Sequence, residues 1–262
     1  MSKQLNKNKQ TLDIVVTDYF PNYDWIKELV ASIQQLDCNY KVIRISDTND
    51  GPSATLFNSL PGTRYIYAPA GDRGTSKQIG LDNATGDYIM FLDNDDYLLT
   101  QHLEKYLKLD IDVIRLQNNA HKISDMISHF IFKRELIEKY DLRFVGGPVF
   151  FDDFLISTRL IEHINKGDIK QTITAEPVYY YRHNPNGIVN STPNDYKYNC
   201  LCVLDEILRE EPDYETYSKK LQNIKAIYKP QELTLAKSSK IKAIGKAAFN
   251  KLTKGGMING NN

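Results

Sequence analysis

The stretch Tyr88-Ile89-Met90-Phe91-Leu92-Asp93-Asn94-Asp95-Asp96-Tyr97 joins five apolar residues directly to three carboxylates. An apolar run of this kind predicts a buried strand, so we expect the acids where the strand leaves the sheet. Asp93 and Asp95 repel each other unless a positive group stands between them, and a hard divalent cation with oxygen ligands is the simplest such group. The stretch therefore predicts a site for a cation and a phosphate-bearing ligand.

Strands and helices alternate along the rest of the chain. Short runs of β-branched, aromatic and other apolar residues between turn residues predict strands over residues 12–17, 41–46, 64–69, 88–92, 112–116 and 173–181. Apolar residues at helical spacing predict helices over residues 25–36, 74–84, 101–109, 199–208 and 214–228, and another that begins at Asp152. Residues 127–140 predict a strand followed by a helix. This alternation indicates an α/β fold with a Rossmann-like, mostly parallel sheet flanked by helices.

Acidic residues follow three of the predicted strands. Asp18 follows the first strand, Asp47 follows the second, and the cluster from Asp93 to Asp96 follows the fourth. In sheets of this class, ligands gather at the carboxyl ends of the strands. We therefore expect the three acidic loops to lie along one edge of the sheet and to form a binding site there.

Length and composition describe an ordinary globular chain. The 262 residues are 25% charged and 41% hydrophobic, and this length suits one large domain with an appendage. No apolar run approaches the roughly 20 residues that a membrane-spanning helix needs, so we do not expect an integral membrane protein. Residues 1–10 are polar and predict a disordered lead-in rather than a secretory signal.

The three cysteines, Cys38, Cys200 and Cys202, are odd in number. Cys200-x-Cys202 has no companion ligands, so it is not a zinc pattern. We therefore expect free thiols, which suit a reducing cytoplasm, where disulfides are rare. On this ground the expected location is cytoplasmic.

Residues 84–96, Ala-Thr-Gly-Asp-Tyr-Ile-Met-Phe-Leu-Asp-Asn-Asp-Asp, resemble the strand and D-x-D motif of the family 2 glycosyltransferases of the GT-A fold. The resemblance covers about residues 11–190. It implies a GT-A domain over that range, preceded by the lead-in and followed by a helical, lysine-rich appendage over residues 191–262. It also implies an inverting enzyme that uses nucleotide-diphosphate sugars.

The resemblance implies metal binding at the D-x-D motif. Asp95 would be a direct ligand of Mn²⁺ or Mg²⁺, and Asp93 would contact the ribose or a metal-bound water. The cation would bridge to the diphosphate of the donor as a Lewis acid. The residues alone leave an alternative open, since Asp and Asn also favour plain turns after strands.

Upstream residues resemble the donor-binding segments of the family. Asp47 lies in the acidic loop after the second strand, next to Ser46, which stands where the family commonly has Asp. Asp47 and Asp18 would face the base and ribose, because a carboxylate accepts from ring N–H groups and ribose hydroxyls. Lys77 and Gln78 stand where Arg-Asn is usual, and Lys77 would offset phosphate charge. Turn acids and a solvated lysine are the alternative readings.

Downstream residues resemble the family's catalytic segments. Asp152 and Asp153 correspond to a Glu-Asp pair whose second acid is the catalytic base, so Asp153 would be the base and Asp152 would raise its pKa. The alternative is that both acids serve the start of a helix. Arg182 and His183 resemble the closing Tyr-Arg loop, although Gly187 stands where Ser is usual. Arg182 would contact the diphosphate and His183 would bind the metal.

The predicted function is the metal-dependent transfer of a sugar, hexosyl or N-acetylhexosaminyl, from a nucleotide-diphosphate sugar to an acceptor hydroxyl with inversion. The acceptor would be a glycan, a glycopolymer or a lipid-linked molecule, as in surface glycan synthesis. Nucleotidyl transfer is one alternative, and a non-catalytic nucleotide-sugar-binding protein is another. The chain has no G-x-x-x-x-G-K motif, which counts against a P-loop enzyme.

The carboxyl-terminal part of the chain differs in charge from the rest. Residues 219–254 contain ten lysines and a single acid, Glu232. Apolar residues recur near helical spacing from Leu235 onward, which predicts a basic amphipathic helix within residues 231–254. Such a helix suits peripheral contact with an anionic membrane at its inner face. Packing on the body, a homo-oligomer contact and a polyanionic acceptor are the alternatives.

Overall fold

The structure of the chain is a computed structural model that describes residues 10–69, 71–147, 150–184 and 187–229. The predicted lead-in over residues 1–10 lies outside the described residues except for Gln10. The predicted basic helix over residues 231–254 lies outside them entirely.

The chain forms two compact units. The first contains residues 1–70, 76–143 and 153–182, and the second contains residues 71–75, 144–152 and 183–262. Every strand of the described residues belongs to the first unit.

An eight-stranded sheet forms the centre of the first unit. In chain order its strands are β1 (Thr11–Thr17), β2 (Asn39–Ser46), β3 (Arg64–Tyr67), β4 (Tyr88–Phe91), β5 (Tyr97–Leu98), β6 (Val113–Asn118), β7 (Phe130–Lys133) and β8 (Gln171–Tyr180). Their order across the sheet is β3-β2-β1-β4-β7-β6-β8-β5. β3, β2, β1 and β4 run parallel, and so do β6 and β8, whereas β7 is antiparallel to both of its neighbours and β5 is antiparallel to β8. The predicted α/β fold with a mostly parallel sheet is confirmed.

Helices connect and flank these strands. In chain order the helices of the described residues are α1 (Tyr23–Gln34), α2 (Gly51–Asn58), α3 (Arg73–Asp82), α4 (Glu104–Leu107), α5 (Leu136–Lys139), α6 (Phe154–Lys166), α7 (Ile188–Ser191), α8 (Asn194–Leu208) and α9 (Tyr214–Tyr228). A 3₁₀ turn, Ile127–His129, comes directly before β7. It is called the 127–129 turn below.

Helix α1 shows how apolar residues at helical spacing form the core of the first unit. Ile26, Leu29, Val30 and Ile33 recur at helical spacing, and all four are buried in the same apolar cluster as alternate residues of β1. Asn22 caps the helix, since its Oδ1 accepts hydrogen bonds from the first free backbone amides. The cap fixes where the loop after β1 ends and therefore shapes the carboxyl edge of the sheet.

A buried carboxylate holds the turn that precedes β4. Asp13 lies on β1 and is fully buried, and its Oδ2 accepts from the amides of Thr85 at 2.6 Å and Gly86 at 2.7 Å. Gly86 has no room for a side chain, because a Cβ there would lie 2.8 Å from the Asp13 carboxylate. These contacts hold the turn that leads into the strand Tyr88–Phe91, and so they set where the acidic loop emerges.

Two predicted helix boundaries are wrong. The helix predicted over residues 101–109 is the single turn α4, whose first amide, on Glu104, donates to Asp37 Oδ1 at 2.9 Å. The helix predicted to begin at Asp152 begins at Phe154, with Asp153 at its N-cap. Helix α2 contains Pro52 in its first turn, where proline is tolerated.

The described part of the second unit contains the helices α8 and α9. Leu201, Leu204 and Leu208 are buried on α8, and Tyr217 and Leu221 are buried on α9. This apolar face of each helix matches the helical spacing in the sequence. The two predicted helices over residues 199–208 and 214–228 are therefore confirmed, with α8 beginning five residues earlier, at Asn194.

Within the described ranges, none of the helices combines the length and the apolar character that crossing a bilayer requires. The cysteines Cys38, Cys200 and Cys202 are free thiols, as the sequence predicts. Burial raises the pKa of the Cys200 thiol.

Candidate active site at the carboxyl edge of the sheet

The acidic loop, residues 92–96, leaves the sheet at the carboxyl end of β4. The amide of Leu92 still pairs with Val15 O of β1 at 3.0 Å. Asp96 N then donates to Asp93 O at 3.1 Å and closes a turn, and Asn94 Nδ2 donates to Tyr19 O at 3.0 Å. The turn that the sequence allows is therefore present, and it leaves the Asp93 side chain partly exposed to solvent.

Asp96 is the buried member of the acidic loop. Burial and the nearby Asp93 carboxylate raise its pKa from 3.8 to about 8, and Asp95 adds to the rise. The backbone amide of Arg182, at 2.8 Å, and the hydroxyl of Tyr179, at 2.6 Å, donate to it and oppose this rise. Burial is thus the main cause of the raised pKa of Asp96, and the like charges of Asp93 and Asp95 add to it.

The grouped carboxylates of the acidic loop are oxygen ligands of the kind that a divalent cation prefers. The described residues contain no group of three or more His, Cys, Asp or Glu side chains arranged to hold a metal. Mg²⁺ is commonly bound by one or two carboxylates together with substrate phosphates, rather than by an all-protein cage. Asp93 and Asp95, whose carboxylates are partly exposed, are the ligands predicted for such a donor set, and this assignment stays a prediction.

Asp153 is linked to the acidic loop through the 127–129 turn. Its Oδ2 accepts from the amide of Ile127 at 3.1 Å. Two residues later, the buried ring of His129 packs on the ring of Tyr179, with 4.6 Å between the ring centroids. Since Tyr179 donates to Asp96, this chain of contacts ties Asp153 to the acidic loop within the first unit.

The imidazole of His129 interacts electrostatically with Asp93 of the same loop. Burial lowers the pKa of His129 to about 4, although the nearby Asp93 carboxylate opposes this effect. Its imidazole is therefore neutral at pH 7. Its Nε2 is buried without a hydrogen-bond partner among the described residues.

A cavity of about 180 Å³ opens where β1 and β2 end. Its lining includes Asp18, Asp47, Arg44, Ser53 and Tyr23. The acids predicted after the first two strands are thus brought together, as the parallel order of β2, β1 and β4 requires. The cavity and the acidic loop both lie at the carboxyl ends of these neighbouring strands.

Asp18 and Arg44 form a buried ion pair at the wall of this cavity. Arg44 Nε lies 2.7 Å from Asp18 Oδ2, and the two side chains are 2% and 0% exposed. Ser53 donates to the same carboxylate oxygen at 2.6 Å. The pair couples the loop after β1 to β2 and α2, whereas Asp47 is exposed at the mouth of the cavity.

The other predicted site residues occupy distinct surroundings. Lys77, on α3, is 5% exposed rather than solvated. Asp152 is buried in the second unit, with its Oδ1 3.9 Å from Arg73 Nε. His183 also belongs to the second unit and is exposed. The roles predicted for these three residues stay predictions.

Sequence reasoning did not identify several side chains of this site. They are Trp25, Glu28, Arg44, Ser53, His129 and Tyr179. One of them, Arg44, could have been found from the sequence, because it is a charged residue within the apolar strand Val42-Ile43-Arg44-Ile45. A charge that is buried in a strand requires a partner of opposite charge. The others lie far from their partners in the chain and have no local pattern.

Comparison with known proteins supports the resemblance on which the sequence prediction rests. Residues 14–112 match the family described as glycosyl transferase family 2, and this range includes β1, β2, β4 and the acidic loop. Over 105 residues the chain is 30% identical to an uncharacterized glycosyltransferase of Haemophilus influenzae. That alignment covers 38% of this chain and 42% of the relative, so the chain spans about two fifths of the relative's length.

Solved structures share the fold over most of the chain. S. aureus TarS, in a structure with UDP-GlcNAc, superposes with a TM-score of 0.59 at 15% identity, over 76% of this chain and 67% of that one. A mannosyltransferase from Pyrobaculum calidifontis, solved with GDP-Man and Mn²⁺, gives a TM-score of 0.54 at 14% identity, over 95% and 77% of the two chains. At these identities the likeness establishes the fold.

The sheet order, with the acidic loop and the cavity at the carboxyl ends of neighbouring strands, is that of the GT-A fold. Residues 14–112, about two fifths of the chain, match glycosyl transferase family 2. The family resemblance expected from residues 84–96 is confirmed over this range.

Proposed function

We propose that the chain transfers a sugar from a nucleotide-diphosphate sugar to an acceptor hydroxyl, with inversion and with the help of a divalent metal. The observation that carries the proposal is that the acidic loop and the cavity lie at the carboxyl ends of neighbouring strands. Asp93 and Asp95 are partly exposed, and the pKa of the buried Asp96 is raised to about 8 by burial, by Asp93 and, less, by Asp95. Carboxylates grouped in this way suit a cation and the diphosphate that accompanies it.

The nucleoside of the donor would occupy the cavity at the ends of β1 and β2. Asp47 is exposed at its mouth and would accept hydrogen bonds from ribose hydroxyls or a ring N–H. Asp18 would contact the base more weakly than Asp47, because its Oδ2 already accepts hydrogen bonds from Arg44 and Ser53. Lys77 would offset charge on the phosphates.

Asp93 and Asp95 would hold Mn²⁺ or Mg²⁺, and His183 is a further candidate ligand. When bound, the cation would take up negative charge on the departing diphosphate. The comparison with a mannosyltransferase solved with GDP-Man and Mn²⁺ supports this choice of cofactor. This support rests on the fold that the two proteins share.

Asp153 would act as the general base. The acceptor oxygen attacks the anomeric carbon from the face opposite the diphosphate, and a new C–O bond forms there. The bond from the anomeric carbon to the diphosphate oxygen breaks, and the nucleoside diphosphate leaves with the electron pair. The acceptor proton passes to the Asp153 carboxylate, and the single displacement inverts the anomeric configuration. Asp152 would raise the pKa of Asp153 through like charge.

Hexose or N-acetylhexosamine would be the transferred sugar, since the two structures with the same fold were solved with UDP-GlcNAc and GDP-Man. The acceptor would be a glycan, a glycopolymer or a lipid-linked molecule. We propose surface glycan synthesis as the setting, with the protein in the cytoplasm.

Residues 231–254 lie outside the described residues, and their proposed role is peripheral contact with an anionic membrane. Sedimentation with vesicles that contain anionic lipid tests this role. Loss of binding on deletion of residues 231–262 would support it, and equal sedimentation of the truncated chain would refute it. A concentration-dependent change in molar mass that the deletion removes would instead support a homo-oligomer contact.

The test of the proposed function begins with a screen of nucleoside diphosphates, with and without Mn²⁺, for an increase in the unfolding midpoint. The matching nucleotide sugar is then assayed for release of nucleoside diphosphate. Release that Asp95→Ala abolishes supports the transferase. Release of pyrophosphate would support a nucleotidyltransferase instead, and tight donor binding without turnover on any acceptor would support a binding protein.

A further inference from the structure

Arg182 directly follows β8 and holds the backbone of the acidic loop. Its Nε donates to the carbonyl oxygen of Asp95 at 2.8 Å, and its backbone amide donates to Asp96 Oδ1 at 2.8 Å. The side chain is 19% exposed. One residue thus contacts two consecutive residues of the loop that carries the predicted metal ligands.

Three aromatic rings surround the guanidinium of Arg182. Its Cζ lies 5.1 Å from the ring centroid of Trp25, 5.5 Å from that of Tyr97 and 5.7 Å from that of Tyr180. Tyr97 and Tyr180 also stack on each other, with centroids 4.4 Å apart. These contacts stabilise the guanidinium in its place, because each ring face attracts a cation.

Glu28 anchors the far side of the guanidinium. Arg182 Nη2 donates to Glu28 Oε2. Trp25 and Glu28 are three residues apart on α1, so they lie on one face of that helix and meet Arg182 together. Arg182 therefore connects α1 to the acidic loop.

We propose that Arg182 is a positioning residue that fixes the direction of the Asp95 carboxylate, with Glu28 as its anchor, rather than a ligand of the diphosphate. This inference rests on the proposed function of the acidic loop. Nε and Nη2 are both engaged, and moving the guanidinium to a phosphate would break the bond to Asp95 O, the ion pair with Glu28 and the contact with Trp25. Asp93 and Asp95 then receive the cation on a backbone that is already fixed.

The two roles predict opposite effects at Glu28. If Glu28 merely restrained Arg182 from reaching the diphosphate, Glu28→Gln would free the guanidinium and strengthen nucleotide binding. If Glu28 anchors a positioning residue, Glu28→Gln loosens the acidic loop and weakens metal binding. Groups that orient metal ligands typically change metal affinity by about 10- to 100-fold when they are replaced.

Trp25 provides a direct readout, because it is the only tryptophan in the chain. Its fluorescence is recorded while Mn²⁺ and a nucleoside diphosphate, UDP or GDP, are added to saturation. An unchanged emission is expected, since Arg182 stays on the indole. A shift that Arg182→Lys removes would show that Arg182 leaves Trp25 when the nucleotide binds, and this would overturn the proposal.

Hydrogen exchange of the peptide that contains residues 92–97 tests the positioning role without any ligand. Glu28→Gln and Arg182→Lys are expected to speed its exchange, whereas Asp24→Asn is the matched control. Asp24 is an acid of the same helix whose side chain is 84% exposed and pairs with Lys27, so its removal should change nothing at the loop. Unchanged exchange in both test variants would overturn the proposal.

Metal dependence separates positioning from general destabilisation. In Arg182→Lys the Mn²⁺ concentration for half-maximal turnover should rise by about tenfold or more, and excess Mn²⁺ should restore kcat. Failure of excess Mn²⁺ to restore it would contradict the proposal. If the wild-type chain turns over no nucleotide sugar while the exchange results hold, the proposed function fails and the positioning of the loop stands.

Discussion

Asp153 accepts a hydrogen bond from the amide of Ile127 at 3.1 Å, although it stands at the N-cap of α6 and makes no side-chain hydrogen bond that caps its own helix. A capping acid normally accepts from an amide in the first turn of the helix that it begins. The carboxylate is instead held by the 127–129 turn, whose His129 packs on Tyr179 beside the acidic loop. This arrangement favours a role at the site over a role in capping.

Replacing Asp153 by Asn should abolish sugar transfer while the fold survives. The amide oxygen of Asn still accepts from Ile127 N, but the side chain no longer takes up a proton. Loss of a general base typically lowers kcat by about 10²- to 10⁴-fold. The measurement is release of nucleoside diphosphate at saturating donor, with the unfolding midpoint as the check on folding.

Asp168→Asn is a matched control for that variant. Asp168 follows α6, and its carboxylate lies 2.9 Å from His163 Nδ1, at 48% exposure. Turnover should be unchanged, because the same loss of charge then occurs away from the loop. Full turnover in Asp153→Asn would disprove the assignment of the base.

Replacing Arg44 by Met should destabilise the first unit by about 3–5 kcal/mol, because it leaves the buried Asp18 carboxylate without its cation. The pair is almost fully excluded from solvent, with Nε to Oδ2 at 2.7 Å. Urea unfolding gives the free energy directly. Asp18→Asn combined with Arg44→Met should cost less than Arg44→Met alone, and a larger loss in the double variant would show that the ion pair is not the source of the effect.

The sequence predicts the strands around the site because their signals are local. The apolar run from Tyr88 to Leu92 and the acids that follow it define β4 and its loop without reference to any other segment. The parallel order of β1, β2 and β4 then brings Asp18 and Asp47 to the same edge. These inferences need only periodicity and the rule that ligands gather at strand ends.

The contacts that complete the site are not local, so the sequence does not reveal them. Tyr179 and Asp96 are 83 positions apart, and Arg182 and Glu28 are 154 apart. A tyrosine in a strand or a glutamate on a helix looks ordinary until the sheet order is known. The contacts of Arg182 are an example, since its guanidinium meets α1 and the acidic loop, which are far away in the chain.

Replacing Tyr179 by Phe should destabilise the chain by about 1–3 kcal/mol, because it leaves a buried oxygen of Asp96 without its donor. Tyr179 is fully buried and donates to Asp96 at 2.6 Å. Tyr140→Phe is the matched control, since the hydroxyl of Tyr140 lies in an exposed contact with Asp168 O at 3.2 Å. Equal losses of unfolding free energy in the two variants would contradict the importance of the Tyr179–Asp96 bond.

The second unit should lose stability in acid through Asp205. Burial raises the pKa of Asp205, but hydrogen bonds from Lys225 at 2.7 Å and Tyr214 at 2.6 Å, together with the charges of Lys225 and Arg209, lower it below its ordinary value of 3.8. A lowered pKa means that the ionised carboxylate stabilises the folded state. This contribution is complete well above 3.8 and disappears as the pH falls through the folded-state pKa.

Replacing Lys225 by Met should therefore destabilise the chain by about 3 kcal/mol at pH 7, because the Lys225 and Asp205 side chains are only 11% and 4% exposed. The difference from the wild type should shrink as the pH falls below 3.8, where the Asp205 carboxylate is protonated in the unfolded chain. Lys105→Met, which removes an exposed pair with Glu176, should leave the unfolding free energy almost unchanged at every pH. The measurement is the unfolding free energy of each variant from pH 7 to pH 3. If the difference between Lys225→Met and the wild type does not vary with pH, the ionisation of Asp205 is not involved.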